Sequence, residues 1–161
     1  MQIRIRATGQ VLLEHEWIKW VATTYAKSIS AMTADIYDRF DSDAVFEGAQ
    51  ATGGTVYQYS QRDGVEQQSD GKWYTKYILG PVFVDGETTS AEQEAAYKAQ
   101  KDTEQAASVR ASRTEKLKDC DWTQISDSTA DKATWATYRQ ALRDITTQAG
   151  FPWSVEWPVQ P

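Results

Sequence analysis

One stretch of the chain, from Thr89 to Lys118, contains neither glycine nor proline and is dominated by Ala, Glu, Gln and Lys. These residue types favour the α-helix over other backbone conformations. Thr89 and Ser90 are both candidate N-caps, because Glu92 and Gln93 follow three residues later at the capping-box spacing. The sequence therefore predicts a helix of about 25–28 residues, about 40 Å long at the usual rise per residue.

This predicted helix has few large apolar side chains, which are Tyr97, Val109 and Leu117. So thin an apolar content leaves two alternatives: a solvated spacer, or a helix of which a partner covers one stripe. Asp102 and Arg113 interrupt its best heptad stripe, and this argues against a coiled coil.

A second helix is predicted after it, and its start resembles a capping box formed by Ser128 and Asp131. Gly150 is its expected C′ residue, and Pro152 prevents it from continuing. Its apolar positions recur at spacings of three and four residues, as one buried helix face requires. They are Trp135, Tyr138, Leu142, Ile145 and Ala149.

The chain ends in a segment whose prolines disfavour a helix. If this segment is extended, Trp153, Val155 and Trp157 share one face of it. Tryptophan contributes disproportionately to interfaces, but it serves as well in a core that has few Leu, Ile and Val. The two uses are compatible, because Trp135 can be core while Trp157 is an anchor. Four of the seven tryptophans lie within residues 122–161: Trp122, Trp135, Trp153 and Trp157.

The first half of the chain has the patterns of a small sheet with one or two short helices. Residues 2–7 alternate apolar and charged side chains, and Val11–Leu13 follows a turn as a second strand. Apolar spacing predicts a helix over Glu14–Tyr25 and a shorter one capped by Thr33. Ile36 and Phe40 share a face of that shorter helix.

Residues 44–84 are predicted to be an antiparallel meander. Residues 55–59 are rich in strand-forming types, and Asp63-Gly64 and Asp70-Gly71 are both strong hairpin signals. A third strand over residues 73–79 ends at Gly80-Pro81. The fold class is thus α+β: an N-terminal module over residues 1–86, a long helix or linker over 87–118, and a C-terminal helical segment with an extended aromatic tail over 119–161.

Composition argues against several classes of function. The formal net charge of −6 disfavours nucleic acid, which needs Lys and Arg gathered on one face. No apolar run approaches a membrane span, and no segment has the pattern of a signal peptide. A single cysteine forms no intrachain disulfide, and a reducing cytoplasm is the expected compartment.

The residues that carry catalysis are equally scarce. His15 is the one histidine, and between Glu14 and Glu16 it is best interpreted as a solvated surface residue. Cys120, between two aspartates, is predicted to be a small buried or half-buried residue. No phosphate-binding glycine loop and no nucleophile-elbow pattern occur. The sequence therefore predicts no catalytic residue, cofactor or metal site, and the acidic group Asp119, Asp121 and Asp127 is assigned to capping rather than to a cation.

Several uncommon dipeptides occur in one order in three runs of the C-terminal third: Asp119-Cys120-Asp121-Trp122-Thr123-Gln124, residues 135–145, and Gly150-Phe151-Pro152-Trp153 followed by Trp157-Pro158. With these runs the C-terminal third, roughly residues 110–161, resembles a bacteriophage family of tail assembly or tail-fibre assembly chaperones. The N-terminal half is similar to a module that often accompanies this family.

The resemblance implies a phage-encoded helper that binds a tail fibre protein, a trimeric client, and assists its folding or trimerisation without ATP. It would act in the host cell cytoplasm during assembly and then leave or stay on the virion. The family has no catalytic motif to transfer. Aromatic clustering and the position of the matched runs place the client contacts at Trp153, Val155 and Trp157, supported by Trp122, Tyr138, Arg139 and Arg143.

Two other functions stay open at this point. A permanent virion adaptor or tip could bind host glycans through an aromatic surface, since sugars stack on aromatic rings. The third function is a hydrolase with two carboxylates, for which the sequence has no specific signal. The candidate glycan surface consists of Tyr57, Tyr59, Trp73 and Tyr77.

Overall fold

The computed structural model describes all residues, Met1–Pro161, and confirms the α+β class. The chain divides into two compact units, Met1–Val82 and Phe83–Pro161. The first contains every strand and two short helices, and the second is helical.

The first unit is a five-stranded sheet with the strand order β2-β1-β3-β5-β4. Three of its neighbouring pairs are antiparallel, but β3 and β5 run parallel, so the predicted antiparallel meander is wrong at this pair. The hairpin of β4 and β5 inserts β5, the more apolar strand, next to β3 and leaves β4 at the edge. The strands are β1 (Gln2–Ile5), β2 (Val11–Leu13), β3 (Ser42–Phe46), β4 (Tyr59–Gln67) and β5 (Trp73–Gly80).

Asp63-Gly64 does not form the predicted hairpin. Strand β4 runs through both residues, and Gly64, at φ +80°, lies in a bulge between Arg62 and Val65. Some bulges place a glycine at positive φ, as tight hairpin turns do, so the dipeptide signals the backbone angle and not the reversal. The reversal occurs at Asp70-Gly71, as predicted.

The strand predicted over residues 55–59 is also wrong. Gln58 donates its backbone N–H to the carbonyl of Thr55 at 3.0 Å, which closes a turn there. The extended strand begins only at Tyr59.

Helix α1 (Glu14–Tyr25) has the predicted bounds, and helix α2 (Ala34–Arg39) follows its predicted N-cap, Thr33. Phe40, predicted on a face of α2, is instead its C-cap residue and is buried. Trp17 of α1 is fully buried, and its ring meets that of Tyr37 edge to face at 5.6 Å. Its indole N–H donates to the Ser42 hydroxyl at 2.9 Å. The core of this unit consists of Ile3, Ile5, Trp17, Val21, Tyr37 and Phe40.

The second unit is built on α3 (Ser90–Asp119) and α4 (Lys132–Asp144), followed by a 3-10 turn, Ile145–Thr147. The long helix is confirmed, and so is its capping box between Thr89 and Glu92. No helix of the chain is both long enough and apolar enough to span a bilayer.

The ends of α4 differ from the prediction. Asp131 is the N-cap, and its carboxylate accepts the N–H groups of Ala133 and Thr134, while Ser128 instead accepts the N–H of Ala130. The predicted C′ residue, Gly150, lies beyond the 3-10 turn. A Cβ there would collide with the Ser154 carbonyl, so this glycine permits a tight turn of the tail.

Ala149, predicted on the buried face of α4, is exposed because the regular helix has ended five residues earlier, at Asp144. The other four apolar positions of the predicted face are buried, as expected.

Replacing Ser42 by alanine should leave the buried indole N–H of Trp17 without an acceptor. We expect a loss of about 1–3 kcal/mol in the free energy of unfolding, measured by urea denaturation. Ser30→Ala, at an exposed serine of the same unit, is the matched control and should change stability by less than about 0.5 kcal/mol. Equal effects of the two substitutions would contradict this role of Ser42.

Candidate functional site

The second half of α3 is covered by other parts of its own unit. Ala106 and Val109 are buried, and Leu117 packs against the same core as α4. The second half of α3 is therefore a helix with one covered stripe and not a solvated spacer. The core comprises Val109, Cys120, Trp135, Tyr138, Leu142 and Ile145.

The tail is attached along the same stripe of α3. The indole N–H of Trp153 donates to the Asp102 carboxylate. Further along the helix, the Arg110 guanidinium lies 5.3 Å from the ring centre of Phe151. Asp102, which interrupts the apolar stripe in the sequence, is thus the acceptor that a half-buried indole requires.

The Gln148 side chain makes the hydrogen bonds to the extended end of the tail that a neighbouring strand would make. The Gln148 amide donates to the carbonyl of Glu156 at 2.9 Å and accepts its backbone N–H at 2.7 Å. Both main-chain groups of Glu156 are thereby satisfied in a segment that has no strand partner. Lys116 of α3 lies 5.4 Å from the ring centre of Trp157, next in the chain.

The three tail residues predicted to bind a client are therefore half-buried on their own unit. Trp153 lies in the turn around residues 150–154, not in one extended segment with Val155 and Trp157, so the predicted common face is wrong. This turn ends at Ser154, so Val155 and Trp157 lie in the extended segment after it. Val155 and Trp157 pack against the core.

Arg139 connects the end of α3 to α4. Its guanidinium donates to the Leu117 carbonyl at 2.8 Å, to the Cys120 sulfur at 2.9 Å and to the Asp121 carboxylate at 2.8 Å. Burial lowers the pKa of Arg139, but the hydrogen bonds to Asp121 and Cys120 outweigh it and raise this pKa. Cys120 is buried, as predicted.

The remaining predicted contacts differ in accessibility. Tyr138 is buried in the core beside Trp135, with the ring centres 5.7 Å apart, whereas Arg143 is exposed. Trp122 is 52% exposed and packs edge to face on Trp135 at 5.7 Å. Of the seven predicted residues, Trp122 therefore combines a large apolar surface with access to a partner.

Ile125, which the sequence analysis did not select, is 55% exposed and follows Trp122 by three residues in the chain. The signal for it was an isolated apolar residue three positions after a tryptophan, in a stretch of Asp, Ser and Thr that belongs to neither helix. Both residues lie at or directly after a 3-10 turn, Asp121–Gln124.

The candidate glycan surface is largely occupied by contacts within the first unit. Arg4 lies 3.9 Å above the ring centre of Trp73, and the Tyr77 hydroxyl donates to Glu47. Tyr57 is half-buried, and Tyr59 is exposed at the start of β4. These four rings therefore do not present one open aromatic surface.

His15 is exposed, and no group of three His, Cys, Asp or Glu side chains is placed to hold a metal ion.

Residues 106–161 match the family model described as phage tail assembly chaperone protein. This region begins within α3 and includes Arg139, α4, the 3-10 turns and the tail. The resemblance seen in the sequence is confirmed for this part of the chain. No curated protein and no solved structure gives a match.

Arg139→Lys should destabilise the second unit, because an ammonium cannot reach three acceptors with the fork of a guanidinium. We expect a loss of about 1–3 kcal/mol in the free energy of unfolding. Arg143→Lys, one turn further along α4 at an exposed position, should stay within about 0.5 kcal/mol of the wild type. Equal stability of the two variants in urea denaturation would show that the Arg139 contacts carry no net stabilisation.

The N-cap of α4 should make stability depend on pH. Hydrogen bonds from the Thr134 hydroxyl and from the N–H groups of Thr134 and Ala133 lower the pKa of Asp131. Its stabilisation is complete above the unfolded-state pKa of about 3.9 and is lost as the pH falls through the lower folded-state pKa. Asp131→Asn keeps a side chain that can cap the helix but that has no ionisable group.

The measurement is the thermal midpoint of wild type and Asp131→Asn between pH 7 and pH 2.5. The midpoint of the wild type should fall relative to that of the variant at the acid end. Parallel curves throughout would contradict a contribution from the Asp131 charge.

Proposed function

We propose that this protein binds the tail fibre protein of its phage, at the fibre's carboxyl-terminal tip, and assists folding and trimerisation without ATP in the host cell cytoplasm. The observation that carries the proposal is that the family match falls within one compact unit, Phe83–Pro161. In this proposal the second unit is the part of the chain that binds the client.

Folding physics explains why such a client needs help. A β-rich homotrimer gains most of its contacts between residues distant in sequence or on different chains, and non-local pairing is slow. Until the three chains are in register, apolar surface and unpaired strand edges stay open to aggregation. A protein that covers the tip during this interval buries the apolar surface temporarily and needs no nucleotide.

Charge also supports the proposal. The formal net charge of −6 favours solubility of a helper that accompanies an aggregation-prone client. The sequence has no Walker-type loop, which agrees with a passive mechanism.

Co-expression with the fibre gene of the same phage tests the function directly. We expect the chain to raise the yield of soluble, detergent-resistant fibre trimer over that of the fibre expressed alone. Refolding of purified fibre should gain equally from the purified chain when apyrase removes nucleotide. An unchanged trimer yield in both assays would contradict the proposal, and a gain that apyrase abolishes would contradict its ATP-free form.

Mass spectrometry of purified virions distinguishes a transient helper from a permanent component. A helper that leaves should be absent or substoichiometric relative to the fibre. A fixed stoichiometry would show that the chain stays on the virion.

A further inference from the structure

The second unit exposes two large apolar side chains three residues apart in the chain, Trp122 and Ile125, and each keeps more than half of its surface accessible. Val84 and Val159 of the same unit are also exposed, at 70% and 91%, but like Ile125 they lie outside regular structure, whereas Trp122 lies in the 3-10 turn. A tryptophan fixed in place is the better anchor, because little conformational entropy is lost when it binds.

Contacts of Trp122 and of the residues next to it in the chain hold its ring in place. Its ring packs edge to face on Trp135, which packs in turn on Tyr138. The next residue, Thr123, is fully buried, and its hydroxyl donates to the Cys120 carbonyl at 2.7 Å. The preceding residue, Asp121, is bound by Arg139. One side of the indole therefore packs against Trp135, and the rest of the ring is exposed.

The sequence around this pair is acidic. The segment from Asp119 to Asp131 contains four aspartates and no Lys, Arg or His. Asp119 and Asp127 are exposed and have no salt bridge, whereas Asp121 pairs with Arg139 and Asp131 caps α4. An apolar partner segment that carries positive charge beside it is complementary to this surface.

We propose that Trp122 and Ile125 form the docking surface for the fibre protein, and that they receive an apolar segment flanked by Lys or Arg. This inference rests on the proposed function and names the part of the unit that carries it. The main contact with the fibre protein is then made by the turn between α3 and α4. It is not made by the tail, where Val155 and Trp157 pack against the core of their own unit.

The test is the affinity of the full-length chain for the purified fibre protein encoded beside its gene, measured by biolayer interferometry. Trp122→Ala with Ile125→Ala should weaken binding about 30-fold or more, the size expected for loss of a tryptophan hot spot. Val84→Ala with Val159→Ala removes exposed apolar side chains of the same unit outside the pair and should leave the affinity within about twofold. Circular dichroism checks that both variants keep the wild-type helix content.

Charge supplies a second, independent readout. Asp119→Asn with Asp127→Asn should weaken binding at low salt and flatten the dependence of affinity on salt concentration. Among 15-residue peptides tiled over the fibre, those that bind should combine apolar residues with Lys or Arg.

The outcomes separate the two proposals. If the wild-type chain binds the fibre and the Trp122 and Ile125 variant binds equally well, the docking surface is wrong and the proposed function stands. If the wild-type chain does not bind the fibre, both proposals fail. Binding confined to acidic peptides, or a wild-type dimer that the Trp122 and Ile125 substitutions dissociate, would also overturn this docking surface.

Discussion

The second unit depends on one guanidinium. Arg139 joins the last turn of α3 to α4 by binding the Leu117 carbonyl, the Cys120 sulfur and the Asp121 carboxylate. These three contacts join α4 to the segment by which the chain leaves α3. In the turn that follows, Asp121–Gln124, Thr123 is fully buried and Trp122 is exposed.

The long helix illustrates how a weakly apolar element is stabilised within its own chain. Its buried stripe offers little hydrophobic area, and polar and cationic contacts supplement it: Asp102 accepts the indole N–H of Trp153, and Arg110 and Lys116 lie over aromatic rings of the tail. The tail thereby becomes part of the unit's packing. A client-binding role for the tail would have to use the surface that this packing leaves accessible.

Local signals predicted the helices of the fold, and contacts distant in sequence determined much of what could not be predicted. The capping box at Thr89 and the apolar spacing of α4 depend on neighbours within four residues, so sequence alone locates both helices. Asp63-Gly64 specified a positive φ but not whether the chain reverses there. The partner of Trp153 lies 51 residues away, and Trp122 is exposed although the residue after it is fully buried. Neither follows from spacing.

Hydrogen–deuterium exchange of the full chain, with and without its fibre protein, tests most directly where the client binds. If the turn between α3 and α4 is the docking surface, backbone amides in residues 119–131 should exchange more slowly in the complex. Slower exchange confined to residues 1–82, with no change in residues 119–131, would contradict it.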